Sequence, residues 1–173
     1  MPGPAGPAAF VLTVSDGVTA GTREDRSGAR LAARLHAAGY TVTRGVVADD
    51  ATAIVAAVRR VATTEQLVVL TGGTGLTPRD TTPQAVRPVL DYEIPGFGEV
   101  MRAEGRHSTP FASLSRSFGG VLGRTLVLAL PGSPAGAEES LAAVLDLLPH
   151  ALETLADDSS RHARGSAGHG VDG

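Results

Sequence analysis

Glycines at 72, 73 and 75, with Thr74 among them, form the segment of this chain best suited to holding an anion. Glycine tolerates positive φ and lets backbone N–H groups close on a phosphate. A helix start just beyond adds the attraction of its dipole. Neither common phosphate loop fits. The Walker A pattern needs a lysine, and the chain has none, all 15 of its Lys and Arg residues being arginine. The dinucleotide fingerprint needs a third glycine where Pro78 stands. Four carboxylates, Asp16, Asp49, Asp50 and Asp80, belong to the same group of loops. Carboxylates repel a phosphate unless a cation intervenes, and a hard ion such as Mg²⁺ bridges the two through oxygen ligands. Asp50 is read as a helix cap. Asp16 also has a capping reading, and Asp80 is either a ligand group or the cap of a helix near Thr82 and Pro83. Arg79 and Arg116 are the arginines placed to pair bidentately with phosphate or carboxylate.

Other chemistries are excluded by composition. With no cysteine there is no thiolate nucleophile, Cys-ligated zinc or iron–sulfur cluster. Without lysine there is no Schiff base. Ser113 and Ser115 precede Arg116, but His107 is the one histidine near them in sequence and there is no Gly-x-Ser-x-Gly elbow, so serine hydrolysis is not expected. Aromatics are 3% of the chain, too few for single-strand stacking platforms, and a net charge of −3 gives no basic footprint for nucleic acid or anionic membrane. No apolar run approaches the length of a membrane span, and the expectation is a cytoplasmic protein.

The elements that must position these residues alternate. Strands are predicted over 10–14, 41–47 and 66–71, with helices over 28–39 and 51–63 between them. Further helices are predicted near 83–91 and over 95–105. A hairpin over 118–130 leads into a strongly apolar strand, and a helix over 135–156 breaks at Pro149. Such an alternation gives an α/β fold with a parallel sheet covered on both faces. Right-handed crossovers then gather every strand-to-helix loop on one sheet edge, where ligands bind. Residues 1–8 are read as a disordered segment, 9–156 as one domain and 157–173 as a flexible tail holding His162 and His169. The apolar residues Phe97, Met101 and Phe111 are read as interface or core.

Five segments in order carry a family resemblance: Thr13-Val14-Ser15-Asp16, the run from Leu70 to Pro83, the run from Ile94 to Arg102, Leu114-Ser115-Arg116, and Leu130-Pro131-Gly132-Ser133-Pro134. Together they resemble the MoaB/Mog family of molybdenum cofactor biosynthesis proteins, to which the G domains of gephyrin are related. The resemblance covers about residues 9 to 150. It implies a three-layer sandwich with a mostly parallel central sheet, assembled as a homotrimer or hexamer. It implies molybdopterin adenylyltransferase activity, in which molybdopterin and ATP give adenylyl-molybdopterin and pyrophosphate with Mg²⁺. The product would pass to a molybdate-insertion partner. By motif, Asp49 and Asp80 stand at the family's two functional aspartates, as catalytic and Mg²⁺-holding groups. Ser15, Asp16, Gly72, Gly73, Thr74, Gly75, Ser115, Arg116, Pro131, Gly132 and Ser133 stand where substrate and nucleotide bind. The alternative implied is a MoaB-type member that binds molybdopterin without turnover.

Overall fold

The computed structural model describes residues 6–157. Most of both expected tails, with His162 and His169, lies outside the described residues. The sheet starts earlier than the sequence reading placed it. Strand β1 spans Ala8–Val14, and the Pro7 carbonyl already accepts a hydrogen bond from the Thr41 N–H. The remaining order is α1 (Asp16–Thr19), α2 (Arg26–Ala37), β2 (Thr41–Val47), α3 (Ala51–Val61), β3 (Leu67–Thr71), α4 (Thr82–Val86), β4 (Tyr92–Glu93), α5 (Pro95–Ser108), β5 (Phe118–Leu122), β6 (Thr125–Leu130), α6 (Pro134–Val144) and α7 (Leu148–Ala156). Short 3₁₀ turns occupy Arg87–Val89, Pro110–Leu114 and Leu145–Leu147.

Six strands form one sheet in the order β2-β1-β3-β6-β5-β4. Strands β2, β1, β3 and β6 run parallel, and β5 is antiparallel to both its neighbours. The central strands β1, β3 and β6 are apolar apart from one threonine each, Thr13, Thr71 and Thr125, because both faces are covered. Their alternation sorts the core into two layers. Val11, Val69 and Leu128 point into one with α2, α5, α6 and α7. Leu12, Leu70 and Val127 point into the other with α3 and α4. The result is the three-layer α/β sandwich expected from the sequence.

Three local expectations change. The helix near 83–91 is α4 followed by a 3₁₀ turn, because Pro88 lacks the N–H that would continue an α-helix. The long C-terminal helix breaks at Leu145–Leu147 rather than at Pro149. A proline ring clashes with the carbonyl four residues earlier, so the break falls on its N-terminal side and Pro149 sits in the first turn of α7. Strand β4 was not foreseen.

Parallel pairing gathers the carboxyl ends of β1, β2, β3 and β6 on one edge, as the alternation predicts. Ser15-Asp16, Ala48-Asp49, the glycine loop and Pro131-Gly132-Ser133 therefore lie on neighbouring turns. Among the described residues no helix is long and apolar enough to cross a membrane.

Candidate functional site

The glycine loop follows β3 with its first two residues at positive φ, 109° for Gly72 and 65° for Gly73. Neither position has room for a Cβ. One on Gly72 would lie 2.3 Å from the Val14 carbonyl oxygen, and one on Gly73 the same distance from Thr82 Oγ1. Hydrogen bonds pin the loop in this shape. Gly72 N–H donates to the Leu130 carbonyl (3.2 Å), Thr82 N–H donates to the Gly73 carbonyl (3.1 Å), and the Thr82 hydroxyl donates to the Gly72 carbonyl (2.9 Å). The Thr71 hydroxyl donates to the Pro131 carbonyl at 2.7 Å, fastening the loop to the neighbouring turn.

Asp80 closes the far end of the loop. Its Oδ2 accepts from the Thr77 N–H (2.8 Å) and from the Thr77 hydroxyl (2.7 Å). The capping reading is not borne out: Thr81, not Asp80, is the N-cap residue of α4. Burial pushes the Asp80 carboxyl upward. That is outweighed by its hydrogen bonds from Thr77 and the Gly75 backbone and by the Arg116 charge, which together hold it below the ordinary carboxylate value.

Asp49 and Asp16 are tied reciprocally. Asp16 N–H donates to Asp49 Oδ2 (2.8 Å), and Asp49 N–H donates to Asp16 Oδ1 (3.0 Å). Burial raises the Asp49 carboxyl above its ordinary value, and the charge of Asp80 raises it further. Asp50 caps α3 through the Ala53 N–H (2.8 Å), as read from the sequence. Ser15 caps α1 and Ser133 caps α6.

Two cavities open on this edge and share Gly73, Asp80, Gly132 and Ser133. The first, about 500 Å³, is mostly apolar and lies between the glycine loop and α5, α6 and the Pro110–Leu114 turn. Thr74, Gly75, Ser115 and Pro131 line it, together with Met101, Phe111 and Leu114. The second, about 720 Å³, is polar. Ser15, Gly72, Asp49 and Arg79 line it with Thr13 and Arg23. Asp49 and Asp80 thus face one space. Asp16 and Arg116 lie outside both linings.

Arg116 has a task other than the expected pairing with phosphate. Its Nε donates to the Gly75 carbonyl (2.7 Å) and its Nη2 to the Asp80 carbonyl (2.5 Å). Its backbone N–H donates to the Thr74 carbonyl at 3.0 Å. The guanidinium clamps the ends of the loop that presents Asp80.

Several lining residues escaped the sequence reading. Thr13 is the polar residue in an otherwise apolar strand, with its hydroxyl held by Asp25 Oδ1 at 2.9 Å, and that interruption was a usable signal. Phe111 and Leu114 are 75% and 55% exposed beside the apolar cavity, Met101 is buried at its wall, and Phe97 is core alone. Only long-range packing distinguishes these roles.

Among the described residues no cluster of three metal-ligating side chains exists. Asp49 and Asp80 nevertheless suit a Mg²⁺ ion. Two carboxylates face one cavity, and a divalent ion would relieve the repulsion between them. Mg²⁺ is commonly bound by one or two carboxylates, with substrate phosphates and waters completing its shell.

Comparison with known proteins agrees with this architecture. Residues 10–150 match the family described as a probable molybdopterin binding domain. The chain is 35% identical over 152 residues to a molybdopterin adenylyltransferase of Helicobacter pylori, covering 84% of this chain and 85% of that one. It is 44% identical over 153 residues to the molybdenum cofactor biosynthesis bifunctional protein of Synechococcus elongatus, covering 87% of this chain. It spans about half (48%) of that bifunctional relative's length. The crystal structure of the molybdopterin biosynthesis enzyme MoaB of Thermus thermophilus superposes with a TM-score of 0.78 at 47% identity, over 86% of this chain and 96% of that one. The chain belongs to the MoaB/Mog family of molybdopterin-binding, molybdenum cofactor biosynthesis proteins.

Proposed function

We propose that this chain is a molybdopterin adenylyltransferase. The observation that carries the reading is the pair of contiguous cavities, one apolar and one polar, meeting at Gly73, Asp80, Gly132 and Ser133. A flat pterin suits the apolar cavity, against Phe111 and Met101, with Ser115 as a polar contact. The nucleotide's phosphates suit the polar cavity, against the glycine loop and Ser15. Relatives named molybdopterin adenylyltransferase, at about 35% identity, support the same assignment.

In this reading the terminal phosphate oxygen of molybdopterin attacks the α-phosphorus of ATP. A new O–P bond forms, the bond from the α-phosphorus to the bridging oxygen breaks, and pyrophosphate leaves with that oxygen. Transfer of this kind needs positioning and charge neutralisation more than covalent help from the protein. The absence of cysteine and lysine is therefore no obstacle. Backbone N–H groups near Gly73 and Gly132 meet phosphate oxygens. Asp80, held ionised by its hydrogen bonds and by Arg116, orients the reacting group from the shared ridge. Asp49 faces it across the polar cavity. These two aspartates would hold Mg²⁺, which supplies neutralisation of the charge that builds on the phosphates.

The test is pyrophosphate release by the purified chain given ATP, Mg²⁺ and molybdopterin. Release that depends on molybdopterin supports the reading. Tight molybdopterin binding with no release would instead establish a binding member without turnover. Trimeric or hexameric assembly and transfer of product to a molybdate-insertion protein belong to the same proposal. The exposed side chains of Leu76, Phe111 and Leu114 offer apolar surface for such contacts.

A further inference from the structure

Two arginines were candidates for meeting substrate phosphate, and the structure separates them. Arg116 is spent on the carbonyls of Gly75 and Asp80 and lines neither cavity. Arg79 lines the polar cavity one residue before Asp80, and its side chain is 68% exposed. Its Nη2 forms an ion pair with Asp16 Oδ2. Arg79 belongs to the loop after β3, and Asp16 is the first residue of α1, one residue beyond the end of β1. The pair therefore connects that loop to the start of α1 beside the cavity lined by Ser15, Gly72 and Asp49.

We propose that Arg79 binds the polyphosphate of the incoming nucleotide, and that Asp16 is the counter-ion on which it rests until the anion arrives. The inference deepens the adenylyltransferase reading and rests on its placement of the nucleotide in the polar cavity. Asp16 is suited to being left behind. Its Oδ1 stays engaged with the Asp49 N–H at 3.0 Å, so losing Arg79 does not strand the carboxylate. With side chains 68% and 47% exposed, the pair is weak, worth at most about fivefold in an equilibrium constant. A phosphate bears more charge and accepts a guanidinium bidentately, so it outcompetes a solvated carboxylate. The exchange moves a positive charge from the rim toward the reacting phosphates, in the cavity where Asp49 and Asp80 carry negative charge. Asp16 thereby acts as a brake on nucleotide affinity.

The experiment is calorimetric titration of the full chain with MgATP and, separately, with inorganic pyrophosphate plus Mg²⁺, both without molybdopterin. Asp16→Asn keeps the oxygen that accepts from Asp49 and removes the competing charge. It is expected to bind both probes up to about fivefold more tightly than the parent. Arg79→Ala is expected to bind them about tenfold more weakly. Adding Asp16→Asn to Arg79→Ala is expected to restore nothing. Thermal melts establish that each variant is folded, and Arg79→Gln replaces the alanine variant if that one melts early. An Asp16→Asn gain that persists without Arg79 would show a general charge effect and overturn the proposal. Unchanged affinity in either single variant, or no binding of either probe by any of them, would overturn it as well. The expected binding pattern without adenylyl-molybdopterin formation would sink the adenylyltransferase reading alone and leave the exchange standing.

Discussion

Asp49 and Asp80 face one cavity, yet their surroundings drive their protonation in opposite directions. Asp80 is held low by hydrogen bonds from Thr77 and Gly75, which outweigh its burial, and Asp49 is raised by burial and then by Asp80. The consequences for stability have opposite signs. A carboxyl held low in the fold contributes stability above its unfolded value and loses it as pH falls through the folded one. Replacing it costs more at neutral pH than in acid. A raised carboxyl makes the folded state lose stability as pH rises through the window between the ordinary and raised values. Urea midpoints are expected to show Asp80→Asn losing ground to the parent between pH 3 and pH 7. Asp49→Asn is expected to gain ground over the same interval, its amide oxygen still accepting from the Asp16 N–H. Steady-state assays are expected to show Asp80→Asn slowing adenylylation by about 100-fold or more, comparable to removing one preorganised electrostatic contact.

At the scale of elements, the glycine loop is the structure on which the site depends. Gly73→Ala places a side chain at φ 65° and 2.3 Å from Thr82 Oγ1. A loss of about 1–3 kcal/mol is expected, read from urea denaturation. Arg116 holds the same loop from a motif 36 residues away by its bond to the Asp80 carbonyl. Arg116→Lys keeps the charge but not the planar fork. Turnover is expected to fall about tenfold with folding intact, as judged by kinetics beside a thermal melt. Much of this layer was legible in the sequence because its signals are local. Apolar runs marked β1, β3 and β6, and glycine, serine and aspartate at their ends marked the edge on which the two cavities open. Elements fixed by distant partners were not legible. Strand β4 is two residues long and exists through its ladder with β5, and no periodicity announces so short a strand. The duty of Arg116 was equally hidden, because a guanidinium bound to carbonyls reads in sequence like one waiting for phosphate. Pro149 announced a break, but the carbonyl it displaces sets where that break falls, whereas the helix expected near 83–91 ran through Pro88 and is interrupted there.

For the whole molecule, the four parallel strands of the sheet gather four separate turns at one edge. The antiparallel pair β5 and β4 extends the sheet beyond β6, the side on which α5 and the Pro110–Leu114 turn wall the apolar cavity. Phe111 and Leu114 on that turn could be recognised as cavity-lining only once it had been packed against α5. If the apolar cavity holds the pterin ring, Phe111→Ala is expected to raise the KM for molybdopterin several-fold while leaving that for ATP nearly unchanged, since an aromatic contact is worth about 0.5–1.5 kcal/mol beyond its buried area.

The most direct measurement is a crystal structure of the chain with molybdopterin and a non-hydrolysable ATP analogue bound together. The account predicts the pterin beside Phe111 and Ser115, the nucleotide phosphates against Gly72, Gly73 and Ser15, and the α-phosphorus beside Asp80 on the ridge it shares with Ser133. Both ligands in one cavity, or an α-phosphorus far from Asp80, would contradict it.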